Sequence, residues 1–210
     1  MTAGARWLAH PVDMKPMTRA TRRPRPEPTL HITQKAAGDG PAFLHIANYW
    51  RYLDDLRIAS RAHGCTVHAY VLMSHHVHLL VTPGSAGAAG RMMRQLGTRY
   101  VRYFNRFRPE AGRLWHRDLQ CTPIVGAASL LRCQSFIELN PVRAGLVATP
   151  DVYRWSSYRH HAFGADDPLV RSHARYEALA ADPVLRRRKY VGMVAAGITE
   201  RQLARLRGHA

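Results

Sequence analysis

Acidic residues are scarce in this 210-residue chain: 14 Asp and Glu stand against 31 Lys and Arg, for a formal charge of +17. That deficit argues against cationic partners and points to a polyanion, most commonly nucleic acid. Nearly all the positive residues are Arg, and Ala, Gly and Pro are abundant. A GC-rich coding bias would give the same composition, so placement has to decide. Cysteine is also rare. Cys65, Cys121 and Cys133 are odd in number and show no CxxC spacing, which excludes a disulfide scaffold and a cysteine zinc site. A reduced, cytoplasmic protein fits that usage. No apolar run approaches the ~20 residues of a membrane span. Pro11, Asp13, Lys15 and Pro16 interrupt any signal-peptide core.

What is present is a normal apolar fraction of 46%, enough for one domain with a sizeable core. Residues 1–27 hold Pro11, Pro16, Pro24 and Pro26 beside Arg19, Arg22, Arg23 and Arg25. This reads as a flexible basic arm, with Met14 and Met17 as alternative starts. The stretch Thr29–Gln34 alternates as a first strand. Ile46 to Ala62 reads as a helix with Ile46, Tyr49, Trp50, Leu53 and Leu56 in one stripe, stopped by Gly64.

Residues 66–72 and 76–82 then read as two strands joined at Ser74-His75. Side chains alternate with a period of two, so His76 and His78 share one face and Val77, Leu79 and Val81 the other. Two imidazoles on one face of a rigid strand either hold a divalent cation or pack as satisfied histidines on a half-buried sheet.

A further helix runs from about Ala88 to Phe107. At ~100° per residue, Arg91, Arg94, Arg99, Arg102 and Arg106 fall within an arc of roughly 140°. Met92, Leu96, Tyr100, Tyr103, Phe104 and Phe107 fall opposite. Five Arg without an acid on that helix read as a phosphate-contacting face; a plain solvated surface is the alternative. Pro109 to Gly112 is a turn. Residues 119–124 suit a strand, at an edge because of Pro123. A helix from about Ala127 to Leu139 should end at Asn140-Pro141. Small helices are expected at 176–181, 183–196 and 199–207, in a basic tail. The order β, α, β, β, α, β, α predicts an α+β fold, a ferredoxin-like antiparallel sheet with helices packed on one side. The expected division is an arm at 1–27, a domain at 28–160 and a small basic helical extension at 161–210.

Five stretches carry a resemblance: HAYVLMSHHVHLLVTP at 68–83, RYVRYFNRF at 99–107, LW at 114–115, FIELNPVRAGLV at 136–147 and WSSYRHH at 155–161. Their kind and order resemble the REP-associated tyrosine transposases of the single-tyrosine HUH superfamily, over roughly residues 28 to 195. The resemblance implies DNA binding and DNA transposition, with single-stranded or hairpin DNA as partner. It implies metal binding by His76 and His78, completed by Asn140, with Mg or Mn as cofactor. It also implies attack on phosphorus by a helix tyrosine, leaving a 5′-phosphotyrosine. Arg143, in the NPVRAG stretch, joins the Arg helix as a DNA contact.

Matching residue by residue puts the nucleophile at position 136, four before Asn140 and on the same helix face. This chain has Phe136 there, and a phenyl ring cannot attack phosphorus. Ser74-His75 stands where the family commonly has Pro-Asn, and Asp118 and Gln120 stand where basic residues are common. Three readings follow. The first is a DNA-binding member impaired in cleavage. The second is an active transposase or nuclease using Tyr100, Tyr103 or a metal-activated water. The third is a non-catalytic protein-interaction module.

Overall fold

A computed structural model describes residues 27–38, 40–108 and 113–197. The basic arm, the turn at 109–112 and the helix expected at 199–207 lie outside the described residues, apart from Glu27. The elements are β1 (Leu30–Lys35), α1 (Ile46–Ala62), β2 (Cys65–Met73), β3 (His76–Pro83), α2 (Ala88–Phe104), β4 (Gln120–Pro123), α3 (Ala127–Arg143), α4 (Tyr158–Phe163), α5 (Ala174–Glu177) and α6 (Pro183–Ala195). The strands form one antiparallel sheet in the order β2-β3-β1-β4. The α+β class and the ferredoxin-like sheet order are those expected from the sequence.

Period-two alternation splits the sheet's side chains between two cores. Ile32, Val77, Leu79 and Val81 pack under α1 and α2 with Met92, Leu96 and Tyr100. On the other face, Val71, Met73 and Leu80 pack under α3 with Leu130, Cys133, Phe136 and Ile137. The two crossover helices thus share one side, and α3 covers the side that a βαββαβ unit alone would leave bare.

α1 begins where Asn48 Oδ1 accepts from the backbone N–H of His45 and Leu44 at 2.8 and 2.9 Å. It ends at Gly64, whose φ of 61° supplies the left-handed turn. The stripe expected for α1 is corrected by the structure. Ile46 and Trp50 are exposed, while Asn48, Tyr52, Asp55, Leu56 and Ala59 are buried. The reason is electrostatic: Asp55 goes inside because Arg51 and Arg99 clamp its two carboxylate oxygens at 2.8 and 2.7 Å.

The β2–β3 hairpin turns through only Ser74 and His75, neither at positive φ. Two-residue hairpin loops usually need the reverse. Here the turn is supported from outside, where Ser74 O accepts from Ala42 N–H at 2.8 Å and His75 O from Ala36 N–H at 2.7 Å. That support sets the direction in which His76 leaves the turn.

α3 runs one turn further than expected. Pro141 sits inside it, and the helix closes after Arg143. The cap explains the extension. Leu146 N–H donates to Pro141 O, Gly145 N–H to Val142 O, and Gly145 adopts a φ of 69°. Asn140 is therefore held in helical geometry, one turn beyond Phe136.

The chain after α3 covers the outer edge of β2. Leu72 N–H donates to Trp155 O, Ser157 N–H to Tyr70 O and Arg171 N–H to Val67 O. Covering an edge this way removes a template for non-native pairing. α4, α5 and α6 then pack Tyr158, Ala162, Tyr176, Tyr190 and Val194 together against Leu131 and Leu139 of α3. α4 straddles the boundary expected between residues 160 and 161.

His68, on β2, gives this fold a pH dependence. Its Nδ1 lies 2.7 Å from Arg171 O and must carry the proton, so Nε2 accepts from Thr82 Oγ1 at 2.8 Å. Burial, aided by His173 and His161 and opposed by the Arg171 bond, lowers its pKa from 6.5 to about 4. The unfolded chain binds this proton first, so stability is lost as pH falls from 6.5 toward 4. Between pH 7.5 and 5 the wild type should lose about 2 kcal/mol more than His68→Gln, read from urea midpoints. Equal losses in both proteins would show that folding does not lower the pKa of His68.

Candidate metal and nucleic-acid site

The face of the sheet under α3 carries a polar cleft at one end. His76 and His78 leave β3 on the same side as Leu80. β1 runs beside β3 with Lys35 opposite His76 and Thr33 opposite His78. β4 runs along the other side of β1 with Gln120 opposite Thr33 and Thr122 opposite His31. Register alone therefore brings His31, Thr33, Lys35, Gln120 and Thr122 to one face. α3 closes the cleft with Phe136, Asn140 and Arg143, around a volume of ≈ 440 Å³.

His76 Nε2 approaches Asn140 Oδ1 to 3.5 Å. The His76 and His78 rings are 5.0 Å apart, edge to face. Phe136 lies 5.6 Å from His78 and 5.9 Å from His31, with the Arg143 guanidinium 5.7 Å above its ring. His78 Nδ1 is 3.0 Å from both His31 Nε2 and Thr33 Oγ1. Burial holds His78 well below the usual imidazole range, with His31, His76 and Lys35 adding to the effect. Burial also lowers His76, against the opposing Asn140 contact, and takes His31 down to about 4. All three imidazoles are neutral at pH 7, the form that can donate a lone pair.

The spacing of His76 and Asn140 is compatible with a shared divalent cation. Two donors each about 2.1 Å from a shared ion stand roughly 3–3.5 Å apart, and His76 Nε2 and Asn140 Oδ1 are separated by 3.5 Å. The set consists of two imidazoles and an amide. Among the described residues no group of three or more His, Cys, Asp or Glu side chains is disposed to hold a metal.

The other residues singled out in the sequence lie elsewhere. Arg91, Arg94 and Arg102 are exposed on α2, on the opposite side of the sheet from the cleft, and Arg106 is exposed in the turn that follows, because α2 ends at Phe104 rather than at Phe107. Arg91 reaches Ser85 Oγ and Ala86 O. Arg99 pairs through Nε with the fully buried Asp55 of α1 at 2.7 Å. The acid missing from α2 is supplied by the neighbouring helix. The substitute nucleophiles are also displaced. Tyr100 is fully buried, its hydroxyl donates to Ala42 O at 2.6 Å, and burial raises its pKa above the usual phenol range. Tyr103 lies beneath Arg51 against the same core. Neither is on the cleft's face. His31, Thr33 and Lys35 were not singled out from the sequence, although the alternation of β1 already put them on one face.

This is the geometry of an α+β domain with a histidine-rich cleft between an inner strand and a capping helix. No family model matches the chain, and no curated protein matches it. Among solved structures it is similar to a REP-associated tyrosine transposase bound to a REP hairpin, with a TM-score of 0.58 and 17% identity, over 75% of this chain and 93% of that one. At that identity the likeness is one of fold. Among the described residues no helix is long and apolar enough to cross a membrane.

Proposed function

We propose that this chain is a DNA-binding relative of the HUH transposases, impaired in covalent cleavage. In this reading the cleft between β3 and α3 receives a DNA backbone that is single-stranded or folded into a hairpin. His76, His78 and Asn140 would hold a divalent cation, Mg²⁺ or Mn²⁺, which when bound draws charge from a phosphate oxygen. Lys35 and Arg143 line the cleft and would meet phosphate charge. The observation that carries the reading is the approach of His76 Nε2 to Asn140 Oδ1, with Phe136 one helical turn earlier in the place of an attacking hydroxyl. The hairpin-bound neighbour of the same fold supports the choice of partner.

The exposed α2 arginines would hold a second stretch of backbone. DNA that engages both sites must pass round an edge of the sheet. Binding of labelled hairpin DNA should therefore weaken steeply with salt. Arg94→Ala combined with Arg102→Ala should flatten the log–log salt slope by about 2, roughly one counterion for each phosphate that is no longer neutralised. An unchanged slope would mean that the α2 face is only solvated. Failure of the wild type to bind hairpin or single-stranded DNA in a salt-sensitive way would overturn the reading in favour of a protein-interaction module.

A further inference from the structure

We infer that His31 and Thr33 are positioning residues for His78, fixing which of its ring nitrogens is presented to the cleft. The inference rests on the metal-site reading above. Thr33 sits directly across from His78 in the β1–β3 pairing. Its hydroxyl and His31 Nε2 both lie 3.0 Å from the same atom, His78 Nδ1. His31 also stacks on the His78 ring, with centroids 5.1 Å apart and planes 27° from parallel. The three side chains are 7–8% exposed. A buried ring nitrogen engaged by two neighbours is not open to a ligand, so Nε2 is the donor left to His78.

An imidazole that donates its Nε2 lone pair must carry its proton on Nδ1. That proton needs an acceptor in a buried place. Thr33 Oγ1 and His31 Nε2 can each accept it, the latter when His31 is protonated on its own Nδ1. The opposite arrangement, with His31 Nε2–H donating to His78, would leave the proton on His78 Nε2 and block ligation. The tautomer of His31 and the ligand capacity of His78 are therefore coupled. Outer partners that orient a ligating histidine typically change metal affinity about 10- to 100-fold when removed.

The test uses the whole chain and two readouts. Long-range ¹⁵N–¹H spectra of the metal-free protein should place His78 in the Nδ1–H tautomer. An Nε2–H tautomer in the wild type would overturn the inference without reference to any metal. Mn²⁺ titration, followed by electron paramagnetic resonance, should then show an affinity loss of about 10- to 100-fold for His31→Phe with Thr33→Val. His31→Gln, which keeps an acceptor oxygen, should recover part of it. Wild-type affinity in the double variant would overturn the inference while leaving the metal site standing. Absence of Mn²⁺ binding by a wild type with the Nδ1–H tautomer would instead overturn the metal-site reading and leave the tautomer assignment supported.

Discussion

Phe136→Tyr is expected to convert a protein that binds hairpin DNA without joining to it into one that forms a covalent DNA adduct in the presence of Mn²⁺. The substitution adds one oxygen to a ring that already lines the cleft beside His31, His78 and Arg143. Phe136 is buried but lines the cleft, and a hydroxyl that reaches the cleft keeps water as a partner, so the cost in stability should stay below about 1 kcal/mol. Holding a nucleophile next to a bound phosphate can remove about 7–11 kcal/mol of barrier when the geometry is right. Even a poorly aligned phenol should therefore give adduct that is visible on a denaturing gel against a wild-type background of none. His76→Ala in the Phe136→Tyr protein should abolish the gain. Abundant adduct from the wild type would refute the missing-nucleophile reading, and Tyr100 and Tyr103 could not explain it, since both lie across the sheet. Hairpin and Mn²⁺ binding by Phe136→Tyr with no adduct would show that more than the hydroxyl has been lost.

The second large effect should come from Glu138, on the side of α3 that faces α4 and α6. This fully buried carboxylate accepts from Ser157 Oγ at 2.6 Å, from the Tyr190 hydroxyl, and lies 2.7 Å from His161 Nδ1. Burial, together with Glu138, keeps the Tyr190 phenol well above its ordinary pKa and so protonated as a donor. Glu138→Ala would strand three buried polar groups and leave a void. A loss of about 4 kcal/mol is expected, a large share of the roughly 5–15 kcal/mol that holds a domain folded. Hydrogen exchange should rise first in α4 and α6, whose buried polar contacts with α3 meet at this residue. Glu138→Gln, which keeps one acceptor oxygen, should lose less. Stability of Glu138→Ala within about 1 kcal/mol of wild type, by urea unfolding, would show that the network contributes little net energy.

Local periodicity determined much of this protein. The alternation of β3 put His76 and His78 on one face, and the four-residue spacing in α3 put Phe136 and Asn140 on one side of a helix. Gly64 marked the end of α1, and Pro123 marked β4 as an edge. These are properties of a few consecutive residues, so sequence carries them directly. Periodicity says which residues share a face, but not what will cover that face. The α1 stripe failed for that reason: Asp55 is buried between Arg51 of its own helix and Arg99, which arrives from 44 residues away. Asn140-Pro141 looked like a helix end until Gly145 and Leu146 closed a further turn. The contacts of His31 and Thr33 with His78 depend on β1 entering the sheet beside β3, a pairing across 45 to 47 residues. Likewise, Glu138 is an ordinary helix glutamate until α4 and α6 bring their donors to it. Pairing order and buried polar contacts are decided by which distant segments meet, and only the tertiary structure contains that.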